Sequence, residues 1–445
     1  MMNEQTAIFG LVMIGAAASI LLIRAPILGL YASYFILWLM PSGALHLDLP
    51  WVFRSPLNVV ALVTAFFAFT RFATLRRRIP ASSLYLPITV CILLLITYTI
   101  VGHGSDTGKY LELMVKALWP FFMVVLLVDT PKQARKLLVV VSALLLLQVL
   151  LLLPSQIAQA SFILKGYKTS LRFAGATVER GGVLPSILGR FSWQTVYTYA
   201  LVSPIFLALY FLVTKSHKRL RNFSLLSFII LALSIVLGGY LRATMALILG
   251  TAVILQITPG LIKRRYIRWL INFIIVFWVL YALIRYTPGG EYATSRIAGY
   301  RQDASIAMRL EIYGPVWSAF FENPLFGWGL YNEPYQTPRG GLLDGHAGFI
   351  FICASFGILF ILPLMLLLWR IWTVLDSFSR FPLSPLERAL IVGFKGTYIV
   401  YIAEFIIEGN GLGVLTNDFI MLTIAGLAVV WAHWFKSGRH NRLLE

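Results

Sequence analysis

Apolar positions fall in long blocks along this chain. The blocks cover 7–23, 26–40, 57–70, 84–101, 111–128, 137–153, 194–213, 223–239, 243–258, 269–284, 347–369, 389–407 and 417–434. The block from Leu137 to Leu153 is seventeen residues without a charge. Runs of about 18 apolar residues match the hydrocarbon thickness of a bilayer when helical. The pattern predicts an all-α, polytopic helical membrane protein with 12–13 transmembrane helices, one integral membrane domain over 1–445. The first two blocks are divided only around Arg24, Ala25 and Pro26, so they form a tight hairpin or include a re-entrant member. Twelve spans with both ends inside is the alternative to thirteen. No small-residue cleavage pattern follows the first blocks, so no removable signal peptide is expected. No internal repeat or discontinuous helix is visible that would signal a transporter.

The connections sort by charge. Arg71, Arg76, Arg77 and Arg78 crowd one of them, and Lys132, Arg135 and Lys136 another. Lys215, Lys218, Arg219 and Arg221 form a third cluster, and Lys263, Arg264, Arg265 and Arg268 a fourth. Successive clusters are separated by even numbers of crossings, so all belong to one face. The positive-inside bias makes that face cytoplasmic, together with the tail bearing Lys436, Arg439 and Arg442. Two long connections, about 154–193 and 285–346, then fall on the outer side. The second holds Pro, Gly, Tyr and both charge signs, and is long enough for short helices of its own. Connections of this length are usually functional.

Composition agrees with a membrane protein: 59% of residues are hydrophobic and only 12% are charged, against about 25% charged in soluble domains. A net charge of +19 would suggest nucleic acid in a soluble chain. Here it follows from basic cytoplasmic loops, so membrane lipids are the expected partners and nucleic acid is not. Cys91 and Cys353 each lie inside an apolar block, where neither a structural disulfide nor a metal site is expected.

Polar groups assigned to the outer face are few. Arg242 lies in the turn Gly238-Gly239-Tyr240-Leu241-Arg242, against the charge bias. It is either a snorkelling residue at a helix end or a functional cation. Arg190 precedes the seventh block, and Arg309 lies in Met308-Arg309-Leu310-Glu311-Ile312-Tyr313. There Ile312, Val316, Phe320 and Leu325 suggest an amphipathic helix lying over the bundle. Guanidinium forks pair with phosphate oxygens. His346, in Asp344-Gly345-His346-Ala347-Gly348-Phe349, stands where the long loop enters a span. It is a structural imidazole or a general base. Within the blocks stand Lys116, Glu404, Glu408 and Asp418. These are functional groups, or Lys116 forms a structural ion pair with Glu404 or Glu408. No phosphate-cradling, dinucleotide, HExxH or CxxC motif and no acidic metal cluster occurs, so no cofactor or metal is expected.

Several of these stretches together resemble the O-antigen ligase and polymerase family of bacterial cell-surface polysaccharide assembly. They are Arg309-Leu310-Glu311-Ile312-Tyr313, then Glu322-Asn323-Pro324-Leu325-Phe326-Gly327-Trp328-Gly329, then His346 with its neighbours, then Phe356-Gly357-Ile358-Leu359. Arg242 resembles the family's outer Ser-Arg-Gly turn, with Leu241 and Ala243 beside it, and Arg190 the Arg before a following span. Ala347 stands where the family usually has Asn. The resemblance covers roughly 185–370. It implies a metal-independent inverting glycosyltransferase in the bacterial plasma membrane, its site facing the periplasm or cell exterior. The donor would be a glycan on undecaprenyl diphosphate, and the acceptor a glycan or lipid-linked sugar. Arg242, Arg309 and His346 would be catalytic and Arg190 would bind substrate; Lys116 and Glu408, outside the resembling stretch, are read as substrate-binding from their place within the apolar blocks. Ligase and polymerase differ only in acceptor, and both remain open. A polysaccharide or lipid transporter is a rival, as is a peptidoglycan polymerase working through a loop carboxylate such as Asp303 or Asp344.

Overall fold

The computed structural model describes residues 25–39, 56–74, 79–102, 107–164, 169–173, 176–180, 191–213, 217–237, 241–258, 314–329, 349–408 and 415–437. Every apolar block that falls among them is a helix. In chain order these are α1 (Ile27–Leu39), α2 (Pro56–Thr74), α3 (Tyr85–Ile100), α4 (Thr107–Leu127), α5 (Pro131–Leu164), α6 (Phe191–Leu212), α7 (Lys218–Leu237) and α8 (Leu241–Ile257). A short helix over 314–322 is α9. Then come α10 (Phe349–Ser377), α11 (Pro385–Glu408) and α12 (Leu415–Lys436). The blocks 7–23 and 269–284 lie outside the described residues.

The chain is a polytopic helical membrane protein. Among the described residues, Leu57–Thr74, Pro131–Leu150, Phe349–Arg380, Pro385–Ile406 and Asp418–Lys436 are long and apolar enough to cross a bilayer. Shorter apolar helices accompany them. Only helices satisfy every backbone group within one segment, as lipid demands of a lone span. Exposed side chains follow the same logic. On α2, Leu62, Phe66 and Phe69 point outward at helical spacing, an apolar face for which lipid is the natural solvent.

The connection expected from 154 begins later. α5 runs on to Leu164, through Gln156, Ala158, Gln159 and Ala160, all good helix formers. Beyond it, Thr169–Phe173 (β1) and Ala176–Arg180 (β2) pair antiparallel as a small ribbon, Leu171 opposite Val178.

Two helix starts are fixed by reciprocal capping. At α11, Ser384 N donates to Glu387 Oε2 at 2.8 Å and Glu387 N to Ser384 Oγ at 3.3 Å. At α5, Gln133 Oε1 accepts from Asp129 N at 2.7 Å while Gln133 N donates to Thr130 Oγ1 at 3.3 Å. In both, proline occupies the first helical position, where its missing N–H costs nothing.

The chain forms two compact units. The first comprises Met1–Ser82, Lys116–Gln148 and Phe419–Glu445. In it, α12 packs on α4, the Gly426 position allowing approach to the Phe121 carbonyl. Trp119 stacks on Phe419 and its indole N–H donates to Ala61 O on α2 at 3.1 Å. The Tyr34 and Thr423 hydroxyls are hydrogen-bonded to each other.

The second unit comprises Ser83–Val115 and Val149–Asp418. Here α6, α8 and α11 meet through small residues. A Cβ at Gly396 would lie 2.7 Å from Ile254 and 2.8 Å from Pro204, and one at Gly250 would lie 2.8 Å from Pro204. One at Gly393 would lie 2.7 Å from Ile205 Cα. Small residues at such faces let helix backbones approach closely, the usual means of packing in lipid. Thr397 Oγ1 donates to Leu201 O at 2.8 Å across the same interface. α10 joins α11 through Tyr398 Oη, which donates to Leu368 O at 2.7 Å, and through the Lys395–Asp376 ion pair at 2.6 Å.

Candidate functional site

The stretch Asn323–Gly329 and the stretch Phe356–Leu359 stand apart in sequence and together in space. α10 is interrupted at Gly357, whose φ of 66° and ψ of −177° lie in a region essentially open only to glycine. A continuous helix would bond Ile358 N to Ala354 O and Leu359 N to Ser355 O. The segment after α9 replaces both bonds. Ile358 N donates to Pro324 O at 2.8 Å and Leu359 N to Leu325 O at 3.2 Å. Trp328 N donates to Ala354 O at 2.9 Å and Gly329 N to Ser355 O at 2.8 Å. From α3, Tyr98 Oη donates to Phe356 O at 3.1 Å, its ring stacked on that of Phe356. The break therefore leaves these donors and carbonyls partnered, as a buried backbone requires.

The docked segment is closed on itself. Asn323 Nδ2 donates to Gly327 O at 2.6 Å and Gly327 N to Asn323 O at 2.9 Å. Trp328 Nε1 reaches back to Ala319 O on α9 at 3.0 Å. Gly327, at φ 69°, lies so close to α10 that a Cβ would come within 2.5 Å of the Ser355 carbonyl. A Cβ at Gly357 would fall against the Leu325 carbonyl oxygen. The expectation that no helix is discontinuous is thus corrected: glycine relaxes the backbone at residue 357, and a neighbouring segment takes up the freed ladder. The expected amphipathic helix exists as α9, with Val316 buried and Phe320 half-buried. Leu325, assigned to its buried face, lies past the helix end and is 54% exposed. Ile312 lies outside the described residues.

Arg242 is the second residue of α8. A helix N-terminus carries free N–H groups and favours anions, so an arginine there adds to a locally positive end. Arg190, Arg309 and His346, with Asp303 and Asp344, lie outside the described residues. In the chain, Arg309 stands five residues before α9 and His346 three residues before α10. The docked segment lies between them in sequence, held to the first turns of α10.

Lys116 is a half-buried residue of α4 in the first unit. Glu404, half-buried, and Glu408, the last residue of α11, belong to the second. Asp418 at the start of α12 is 2% exposed. Its Oδ1 accepts from Tyr401 Oη of α11 at 2.7 Å, and its buried Oδ2 faces no donor among the described residues. Sequence alone marked Asp418 as an intramembrane carboxylate but gave no sign of Tyr401. Nor did it mark Asn323 or Tyr98 as parts of the α10 junction. The pairing of two Gly-bearing motifs was the one available signal.

No protein-family model matches the chain, and no curated protein matches it.

Proposed function

We propose that this protein is an integral-membrane, metal-independent inverting glycosyltransferase of the O-antigen ligase type. It would transfer a glycan from undecaprenyl diphosphate to an acceptor sugar hydroxyl at the outer face of a bacterial plasma membrane. The observation that carries this reading is the bonded junction at Gly357. Two of the motif pieces on which the family resemblance rests, Asn323–Gly329 and Phe356–Leu359, form one unit. Their co-occurrence in the sequence thus has a structural reason, and the loop bearing Arg309 and His346 has a rigid anchor between them.

In this mechanism negative charge develops on the leaving diphosphate. Arg242 and Arg309 stabilise it, with Arg190 assisting, and preorganised cations of this kind supply several kcal/mol. His346 takes the proton from the attacking hydroxyl as the new glycosidic bond forms and the sugar–phosphate bond breaks. One displacement inverts the anomeric centre. Lys116 and Glu408 contribute to substrate binding. With a lipid-linked repeat unit as acceptor, the same chemistry gives a polymerase.

The interrupted α10 favours one other reading. Broken helices in transporters expose backbone groups that hold substrate or ions near mid-membrane. Here the freed groups of 354, 355, 358 and 359 are taken by 324, 325, 328 and 329, which leaves the junction an anchor rather than a carrier site.

The test is turnover by the purified full-length chain with an undecaprenyl-diphosphate glycan and a sugar acceptor, in EDTA. Product should form, and His346→Ala should lose roughly 10²–10⁴-fold in rate while keeping its melting temperature. A folded, fully active His346→Ala protein removes the assigned base. Vesicle uptake of the glycan without bond transfer establishes the transporter instead.

A further inference from the structure

The junction at Gly357 also fixes how deep the docked segment sits. Gly357 is eight residues into α10, roughly 12 Å along the helix at about 1.5 Å per residue. Arg370 lies twenty-one residues after Phe349. The apolar stretch between them is therefore close to the roughly 30 Å of bilayer hydrocarbon. Because Pro324 and Leu325 bond directly to Ile358 and Leu359, placing Phe349 and Arg370 at the two edges of the hydrocarbon puts their turn at that depth.

The side chains it presents there are apolar and open. Leu325 is 54% exposed and Phe326 50% exposed. Beside them on α10, Leu359 and Leu362 are exposed as well. The turn thus continues the outward apolar face of a membrane-spanning helix. On α9 itself Trp317 and Phe321, four residues apart on one helix face, are also exposed. The neighbouring stripe is different in kind: Ser318 and Glu322, again four apart, are exposed and polar.

We infer that residues 317–326 form a re-entrant segment of the membrane domain, with the acyl chains of the bilayer covering Trp317, Phe321, Leu325 and Phe326. Half-exposed aromatic and aliphatic groups at this depth are solvated by hydrocarbon. The Ser318–Glu322 stripe turns to a water-accessible side, because a carboxylate within hydrocarbon is costly. The segment is then a partition with one lipid face and one wet face. Its backbone is irregular only where α10 receives it, and irregular backbone at membrane depth is tolerated where protein buries it or where it lines a wet cavity. None of this depends on the chemistry the protein performs.

The test places single cysteines at Phe321, Glu322, Leu325 and Phe326 in the full chain, with Cys91 and Cys353 replaced by serine, and attaches a nitroxide in reconstituted vesicles. Collision with oxygen should exceed collision with a water-soluble nickel chelate at 321, 325 and 326, and the order should reverse at 322. Nickel access at 325 and 326 equal to that at 322 overturns the inference. A second measurement uses the unaltered protein in vesicles carrying an acyl-chain diazirine phospholipid. Photoadducts should appear on the peptide spanning 317–326 as they do on the Leu62–Phe69 face of α2. Adducts on α2 with none on 317–326 overturn it equally.

Discussion

Glycine does different work in two parts of the second unit. Where α6, α8 and α11 meet, Gly250, Gly393 and Gly396 sit within regular helices and act through the missing Cβ. Their neighbours are mostly side-chain atoms, such as Ile254 Cδ1 and the Pro204 ring. At the α10 junction, Gly327 and Gly357 both take positive φ, and the atoms nearest a hypothetical Cβ are backbone. The first site is held by packing that side chains can partly readjust, the second by hydrogen bonds between main chains that cannot. Glycine in a packed interface is thus a matter of how far its neighbours can give, and glycine in a backbone junction is the stricter requirement.

The largest effect should come from Gly357→Ala. It combines a disallowed φ with a collision against the Leu325 carbonyl, and should cost about 3–4 kcal/mol. A lower melting temperature in detergent and new protease cleavage between 323 and 329 would register it. Gly393→Ala should follow at about 2–3 kcal/mol, because the nearest atom is Ile205 Cα, part of a rigid helix. Gly396→Ala should cost somewhat less, about 2 kcal/mol, since the Ile254 δ-methyl can rotate aside and only the Pro204 Cβ at 2.8 Å must be displaced. If Gly396→Ala proves as damaging as Gly357→Ala in thermal unfolding, the distinction between the two regions fails. The smallest effect is expected from Tyr98→Phe. It removes one bond to the Phe356 carbonyl while ring stacking remains, for about 0.6–1.5 kcal/mol. A neutral melting temperature there would show that the junction is sustained by segment 324–329 alone.

The candidate site was read from the sequence as residue types rather than as geometry. Arg242 was picked out by a charge that opposes the topology, and it stands at a helix N-terminus. Asp418 was picked out as a charge in an apolar block, yet its Tyr401 partner lies seventeen residues away on another helix. No local pattern encodes such a pair, because a hydroxyl inside an apolar helix looks the same whether it meets a carboxylate or a backbone carbonyl. Leu325 shows the converse error. Its spacing from Val316 and Phe320 suggested a buried stripe, but the helix ends at 322 and the turn carries it outward.

The positions of the membrane helices were settled by the sequence itself. The energy of placing apolar side chains in hydrocarbon depends only on composition within a window, so each described block became a helix close to its expected bounds. The extension of α5 to Leu164 and the short antiparallel ribbon after it lay beyond that reach, since polar connections carry no such signal. The break in α10 was decided by tertiary structure alone. Phe349–Arg380 reads as one uninterrupted apolar span, and Gly357 would be tolerated within it. What divides the helix is a second segment supplying donors and acceptors in the right register to replace the two ladder bonds lost. That pairing joins backbone groups about thirty residues apart, and backbone groups carry no side-chain code.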